Sequence, residues 1–227
     1  MSWSNPIRED GFAIIPNVFA AAEMDRLSKG IEQSSTTRSR AGVRHALRLT
    51  PVAEIAQDQC LLDIAREVLG AGAFPFHATL FEKTSDANWL VVWHQDTALP
   101  LCRKISIPGW GPWSLKEGVD YAHAPAGVLS QVLALRIHLD ESTSDNGPLR
   151  VLPRTHSLGV LSEDQIHEIS VRISPTECVA PKGSVLAMWP LLVHASSKSR
   201  GPEPRRVLHI EYAASAEIAA PLELAIA

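Results

Sequence analysis

The chain is poor in cysteine, with three in 227 residues, and poor in aromatic side chains, at 6%. Cys60, Cys102 and Cys178 are odd in number, far apart and without a C-x-x-C, so neither a disulfide framework nor a cysteine-built zinc site is expected. A reducing, cytoplasmic setting follows as the expectation. No run of one charge sign occurs and the net charge is −4, which gives no electrostatic footprint for nucleic acid or an anionic membrane surface. The N-terminus lacks the charged and apolar regions of a signal peptide. The longest nearly apolar stretch, Val185 to Ala195, falls well short of the roughly 20 residues needed to span a bilayer. Repeats, low-complexity segments and linkers are also missing.

What is present is an ordinary globular composition, 45% hydrophobic and 20% charged, at a length that suits one domain over 1–227. Residues 11–15 are apolar and stop at Pro16, as a short strand would. Ala20 to Glu32 carries Ala21, Met24, Leu27 and Ile31 at helical spacing, and 52–69 repeats the pattern with Ile55, Leu61, Ile64, Ala65 and Leu69, with Gly70 at the cap position. Helices are thus expected within 20–70. From residue 74 to 215 the texture becomes short β-rich runs at 76–83, 89–96, 131–139, 149–153, 169–174, 184–194 and 205–213, punctuated by Pro, Gly, Asn and Asp. Helices first and many short strands after predict a mainly β fold with flanking helices, and among such folds the eight-stranded jelly roll (a double-stranded β-helix, cupin-like) houses metal sites in its mouth. The segment 101–127 reads as a long lid-like loop, with Trp110, Trp113 and Tyr121 gathered near Pro108, Gly109, Gly111 and Pro112.

The chemistry concentrates in Trp93-His94-Gln95-Asp96. Residues two apart on a strand share a face, so His94 and Asp96 aim an imidazole and a carboxylate at one point. His194 on another strand completes two imidazoles and one carboxylate, the facial triad of non-haem Fe(II) oxygenases. Zinc is more often closed by a fourth Cys or His, and none is suitably spaced. Arg205 lies eleven residues beyond His194 and presents a fork that matches a carboxylate. Its neighbour Arg206 would point the other way on a strand. Ser196, two after His194, would place a hydroxyl beside the same carboxylate if the strand continues. Arg136 and His138 alternate with Leu135, Ile137 and Leu139, so both share one strand face that is either pocket or solvated surface. Trp110, Trp113 and Tyr121 are candidates for an aromatic wall against substrate, with packing of the loop as the competing reading. Asn146-Gly147 reads as a tight turn.

These motifs resemble the phytanoyl-CoA dioxygenase family of Fe(II)/2-oxoglutarate-dependent oxygenases over nearly the whole chain. The resemblance is carried by Asp10-Gly11-Phe12-Ala13-Ile14-Ile15-Pro16, Leu80-Phe81-Glu82-Lys83, Trp93-His94-Gln95-Asp96, Asn146-Gly147-Pro148-Leu149-Arg150-Val151-Leu152-Pro153, His194-Ala195-Ser196 and Arg205. One departure is Pro153-Arg154-Thr155-His156, where the family usually reads Pro-Gly-Ser-His. The resemblance implies an Fe(II) centre on His94, Asp96 and His194 and 2-oxoglutarate held at its far end by Arg205. It also places Lys83 and Gln95 among the residues near the co-substrate. The implied reaction consumes dioxygen, releases succinate and carbon dioxide, and hydroxylates a small organic substrate. Asp96 disfavours halogenation, since related halogenases lack that carboxylate, whereas desaturation and cyclisation stay open. Two readings from other classes compete: a cupin-like small-acid binding protein with a vestigial metal site, and a zinc- or manganese-dependent hydrolase or isomerase, which would leave Arg205 without a role.

Overall fold

The computed structural model describes residues 3–34, 42–84 and 87–227. It opens with α1 (Ser4–Asp10), β1 (Phe12–Ile15) and α2 (Ala21–Gln33), followed by β2 (Gly42–Val43), α3 (Thr50–Ala56) and α4 (Gln59–Leu69). The Glu23 carboxylate accepts from the Ala20 N–H at the start of α2, and Asp58 caps α4 by accepting from the Cys60 N–H. Gly70, with φ +97°, ends α4 in a conformation that costs any other residue more. The β-rich part then runs β3 (Phe74–Lys83), β4 (Val91–His94), β5 (Ala98–Leu101), β6 (Trp113–Lys116), β7 (Val119–His123), α5 (Ala126–Leu129), β8 (Val132–His138), β9 (Leu149–Val151), α6 (Glu163–Arg172), β10 (Thr176–Cys178), β11 (Val185–Met188), β12 (His194–Ser196) and β13 (Arg205–Ala213).

Strands 3, 4 and 8 to 13 divide between two antiparallel sheets in the manner of an open jelly roll. The larger sheet has the order β1-β11-β8-β13-β3-β2 and the smaller β10-β9-β12-β4. Leu149, Val151 and Cys178 of the small sheet pack with Ala134, Leu186 and Met188 of the large one, so the two sheets face each other over an inner layer. The other face of the large sheet is covered by the helices. Leu133, Leu135 and Ile137 of β8 and Leu208, Ile210 and Tyr212 of β13 meet Met24, Leu27, Ile31, Leu61 and Ile64 there. This division fixes register, because a one-residue slip would turn each strand's apolar set inward and its polar set into the helices.

Three expectations change. The segment 169–174 is no strand: Ser162 accepts from the Gln165 N–H and Gln165 accepts from the Ser162 N–H, a capping box that starts α6. Ile169-Ser170-Val171-Arg172-Ile173-Ser174 alternates like a strand, yet Ile166, Ile169 and Ile173 are also helically spaced, and they pack with Leu152 and Val193. The run 184–194 is broken into β11 and β12. The segment 101–127 is not one continuous loop: it holds β6 and β7, which form a third sheet with β5. Glu117 and Gly118, both at positive φ, close a two-residue hairpin turn between Lys116 and Val119. All three cysteines are free, and no helix among the described residues is long and apolar enough to cross a membrane.

Val171 distinguishes the two assignments of 169–174, because it is 73% exposed on α6. Val171→Ala is expected to leave the urea midpoint unchanged or raise stability by up to about 0.5 kcal/mol, alanine being the better helix former. A drop in midpoint would indicate strand.

Candidate metal centre and adjoining cavities

His94 and His194 are direct partners across β4 and β12, with ring centroids 4.2 Å apart. Asp96 follows just past the end of β4, where its N–H bonds to the Pro190 carbonyl at 2.9 Å. Its carboxylate lies 3.6 Å from His94 Nε2 and 3.4 Å from His194 Nε2. One ligand atom from each of the three residues falls within 4.8 Å of the others. The tautomers are set by the backbone. His94 Nδ1 donates to the Val92 carbonyl at 2.9 Å and His194 Nδ1 to the Leu192 carbonyl at 2.8 Å. A carbonyl only accepts, so each Nδ1 carries a proton and Nε2, which faces Asp96, is the nitrogen left for a metal, as metal-binding imidazoles require. Burial pushes the Asp96 carboxyl up, but His194 and His94 outweigh it and hold the group well below the usual range. Burial lowers His194 to about 4, against the pull of Asp96. Against the effect of burial, Asp96 raises His94, so a metal entering here displaces a proton from that ring. Two imidazoles and one carboxylate are the donor set that suits a divalent transition metal.

A cavity of about 100 Å³ opens from this cluster and is also lined by Phe81, Lys83, Arg136, Ser196 and Arg205. Alternation explains the set. Lys83 belongs to the inward row His77, Thr79, Phe81, Lys83 of β3, and Arg205 to the row Arg205, Val207, His209, Glu211 of β13. Lys83 and Arg205 are directly opposite each other, which is destabilising for like charges. Lys83 is 1%, Arg205 4% and Arg136 6% exposed. Among the described residues no carboxylate lies within ion-pairing distance of any of the three. Neutral groups hold them instead. Lys83 Nζ donates to Ser196 Oγ at 2.6 Å and to the Ser197 carbonyl, and Arg205 donates to the Asn146 carbonyl at 3.3 Å and to Ser196 Oγ at 3.4 Å. Arg136 donates to His209 Nδ1 at 2.9 Å and stacks on Phe81 at 5.4 Å. Burial, then the fields of Arg205 and Arg136, pull the Lys83 ammonium down to about 7, while burial and Arg136 bring Arg205 to about 9, still protonated at neutral pH. A buried unpaired charge costs several kcal/mol, so this concentration of cations favours an anion in the cavity.

A second cavity, about 300 Å³, shares Phe81 and Asp96 with the first. It is lined by Arg44, His77, Thr79, Gln95, Thr97, Ala98, Lys116, Tyr121, His123, His209 and Glu211.

The residues expected from sequence divide accordingly. His94, Asp96, His194, Lys83, Ser196, Arg205 and Arg136 come together at the first cavity, and Tyr121 lines the second. Arg206 faces the other way, pairing both its forks with Asp140 and reaching Glu32. Gln95 is fully engaged with backbone, donating to the Gly159 and Leu191 carbonyls and accepting from the Leu161 N–H, so it fixes a loop and has no donor left for a co-substrate. His138 shares the inward face with Arg136 but lines neither cavity; burial lowers it to about 4 and it bonds to the Ser184 carbonyl. Trp110 and Trp113 pack outward in a cluster with Leu99, Leu101, Ala122 and Leu222, and so form no wall of either cavity. His77, Glu211, His209, Arg44 and Lys116 were missed. The inward alternation of β3 and β13 carried the signal for the first three. Asn146-Gly147 is more than a turn: its carbonyls brace Arg205 and Ser196.

A family model described as "Phytanoyl-CoA dioxygenase (PhyH)" matches residues 7–207. The L-proline trans-4-hydroxylase of Streptomyces griseoviridis is 24% identical over 186 residues, covering 70% of this chain and 62% of the relative. The chain thus spans less than two thirds of that protein. The ectoine dioxygenase of Sphingopyxis alaskensis is 24% identical over 244 residues, covering 89% and 72%. Among solved structures, EctD from S. alaskensis with 2-oxoglutarate and 5-hydroxyectoine superimposes with a TM-score of 0.69 at 20% identity, covering 92% of this chain and 74% of that one. AviO1 from Streptomyces viridochromogenes Tue57 does so with 0.65 at 21%, covering 92% of each. These likenesses establish the jelly-roll fold.

Metal titration of the anaerobic protein tests the cluster. His94→Ala, Asp96→Ala and His194→Ala are each expected to weaken divalent metal binding by about a hundredfold or more, the loss of a ligand exceeding the 10- to 100-fold typical of its supporting contacts. Far-UV circular dichroism should be unchanged. Undiminished affinity in any one variant removes that residue from the set.

Proposed function

The chain belongs to the phytanoyl-CoA dioxygenase family, and from that premise we propose that it is an Fe(II)- and 2-oxoglutarate-dependent dioxygenase that hydroxylates a small organic substrate. The observation that carries the reading is one cavity holding both the His94–Asp96–His194 cluster and three buried cations without a carboxylate partner among the described residues. A hydrolytic metal site needs no such cations. A dianionic co-substrate does.

On this reading His94 Nε2, His194 Nε2 and an Asp96 oxygen hold the iron. With 2-oxoglutarate bound, that centre supplies the activation of dioxygen, coupled to loss of carbon dioxide and formation of succinate. The chain's residues do the rest. Arg205, with Ser196 beside it, binds the far carboxylate through charge-assisted hydrogen bonds. Lys83 and Arg136, both buried, add positive potential, and a buried charge acts more strongly than one in solvent. Gly147 sits at φ +68° with its α-carbon close to the Ser197 carbonyl; a Cβ there would approach that oxygen to 2.4 Å and Lys83 Nζ to 3.2 Å. Only glycine lets the turn carbonyls reach Ser196 and Arg205. Asp96, on the wall common to both cavities, keeps the bound substrate next to the metal.

The direct test is succinate release from 2-oxoglutarate with Fe(II) and ascorbate. Release by the parent protein and none by His94→Ala is expected; a binding protein with a vestigial site would release none in either. Arg205→Ala is expected to raise the Michaelis constant for 2-oxoglutarate roughly ten- to a hundredfold, the equivalent of about 1.5–3 kcal/mol for hydrogen bonds to a charged group. Arg206→Ala should lower thermal stability and leave that constant alone. A larger kinetic effect from Arg206→Ala would mean that β13 presents the other face.

Lys83 predicts a pH dependence. Its ammonium titrates near 7 without a bound anion, and a bound dianion favours the charged form. Below pH 7 the amine is already protonated, so the Michaelis constant for 2-oxoglutarate should be flat. Above pH 7 binding must take up a proton, and the constant should rise by up to roughly tenfold per unit toward pH 9. Lys83→Met should remove that slope; a slope unchanged in the variant assigns it elsewhere.

A further inference from the structure

The larger cavity contains a hydrogen-bonded row that the chemistry at the metal does not use. Glu211 and His77 are cross-strand partners on the inward face of β13 and β3, and His77 Nδ1 lies 2.6 Å from Glu211 Oε2. His77 Nε2 meets Tyr121 Oη at 3.1 Å, and Tyr121 Oη meets His45 Nε2 at 2.9 Å. All four residues are nine-tenths buried or more. Burial, then Arg48, lowers His45 to about 4, and burial with the field of Glu211 raises the Tyr121 phenol, so both are neutral at pH 7. One order of protons runs from His45 Nε2–H to Tyr121, from the Tyr121 O–H to His77 Nε2 and from His77 Nδ1–H to Glu211, with His45 Nδ1 left unbonded 3.7 Å from Glu117. In that order Glu211 accepts at Oε2. The row holds the carboxylate by one oxygen only. Oε1 has no protein partner among the described residues, and Glu211 lines the cavity. A carboxylate oxygen in a recess requires a donor.

Two cations enter the same cavity from other elements. Lys116 comes from the β6–β7 hairpin and lies 4.5 Å above the Tyr121 ring. Arg44 follows β2, and its one acidic contact is Glu117 at 3.9 Å, a pair exposed on both sides and therefore weak. Burial, then Arg44, lower Lys116 against the opposing fields of Asp96 and Glu211, so all of these charges face one space. The cavity therefore offers a carboxylate oxygen without a hydrogen-bond donor and two cationic donors on other elements, within a volume at the small end of ligand sites.

We infer that the substrate is a small zwitterion, its amine bound by Glu211 and its carboxylate by Arg44 and Lys116. This rests on the dioxygenase reading for the reaction but not for the binding. A neutral polyol satisfies Glu211 and leaves both cations unmatched. An acyl thioester brings no cation to Glu211. A zwitterion answers both walls and sits against Asp96, where the two cavities meet. Charge at both ends also fixes orientation, so that one carbon faces the metal.

The test is calorimetric binding to the anaerobic protein carrying Fe(II) and 2-oxoglutarate. Its panel is the twenty protein amino acids, L-pipecolate and ectoine, with D-glucose and acetyl-CoA as the other classes. The tightest amino acid is then compared with its methyl ester and its N-acetyl form, which each keep one charge. At least one zwitterion should saturate, and both one-charge forms should bind roughly tenfold or more weakly. Glu211→Gln should no longer distinguish the zwitterion from its N-acetyl form, and Lys116→Met should narrow the gap to the methyl ester. Tighter binding of D-glucose or acetyl-CoA, equal binding of a one-charge form, or no zwitterion binding at all would each overturn the inference. Succinate release on admitting air separates the two readings. A zwitterion that binds without provoking succinate leaves the inference standing and removes the dioxygenase assignment; succinate provoked by D-glucose or acetyl-CoA alone does the reverse.

Discussion

Three like charges held inside the sandwich are the constraint to which the rest of the site answers. Lys83 and Arg205 stand opposite each other on neighbouring strands, and Arg136 completes the group from β8. Their burial is unfavourable without an anion, and among the described residues their direct hydrogen-bond partners are neutral oxygens from Ser196, Ser197 and Asn146 and a neutral histidine, His209. The turn at 146–147 has to come close for those oxygens to reach, which is why glycine is required there. Fold stability and anion affinity are drawn from the same electrostatic source, so the ligand-free protein is the less stable one.

The large sheet makes this possible by having two faces of opposite character. Leucines, isoleucines and Tyr212 on one face seal against α2, α3 and α4, and this apolar contact anchors the register. The other face is thereby free to carry polar rows. Those rows sort themselves along the strands, with cations at the Lys83–Arg205 end and the Glu211–His77 pair toward the other. Arg136–His209 lies between them as a further cross-strand pair. One sheet thus presents two chemically different cavities that meet at Asp96 and Phe81.

Much of this was legible in the sequence. The i, i+2 pair His94 and Asp96 and the opposed faces of Arg205 and Arg206 follow from strand alternation, the choice of His194 and of Arg205 rests on their spacing and on the family resemblance, and helices before many short strands indicated the layer architecture. The rest was hidden for physical reasons. Alternation in 169–174 fits both a strand and one face of a helix, and only the cap at Ser162 separates them. Prolines and glycines around Trp110 and Trp113 read as loop, although the Glu117-Gly118 turn builds a hairpin that sends those tryptophans outward and Tyr121 and Lys116 inward. Gln95 beside the ligands resembles a site residue, but its amide is spent on backbone. Arg44 and Glu211 carry no local signal, since each acquires its role only when distant strands pair.

The position of β13 in the large sheet has a kinetic consequence. It is a central strand, hydrogen-bonded along nearly its whole length to β3 on one side and β8 on the other, yet it comes after both, more than 120 residues beyond β3. During synthesis, β3 and β8 therefore wait with open edges until residues 205–213 leave the ribosome. Long-range pairing of this kind is slow, and unpaired edges of apolar strands are where nascent chains adhere to one another. The inward cations Lys83 on β3 and Arg136 on β8 lie on those waiting strands. Charges that are costly once buried are, at that earlier stage, the gatekeepers that keep the exposed strands from aggregating.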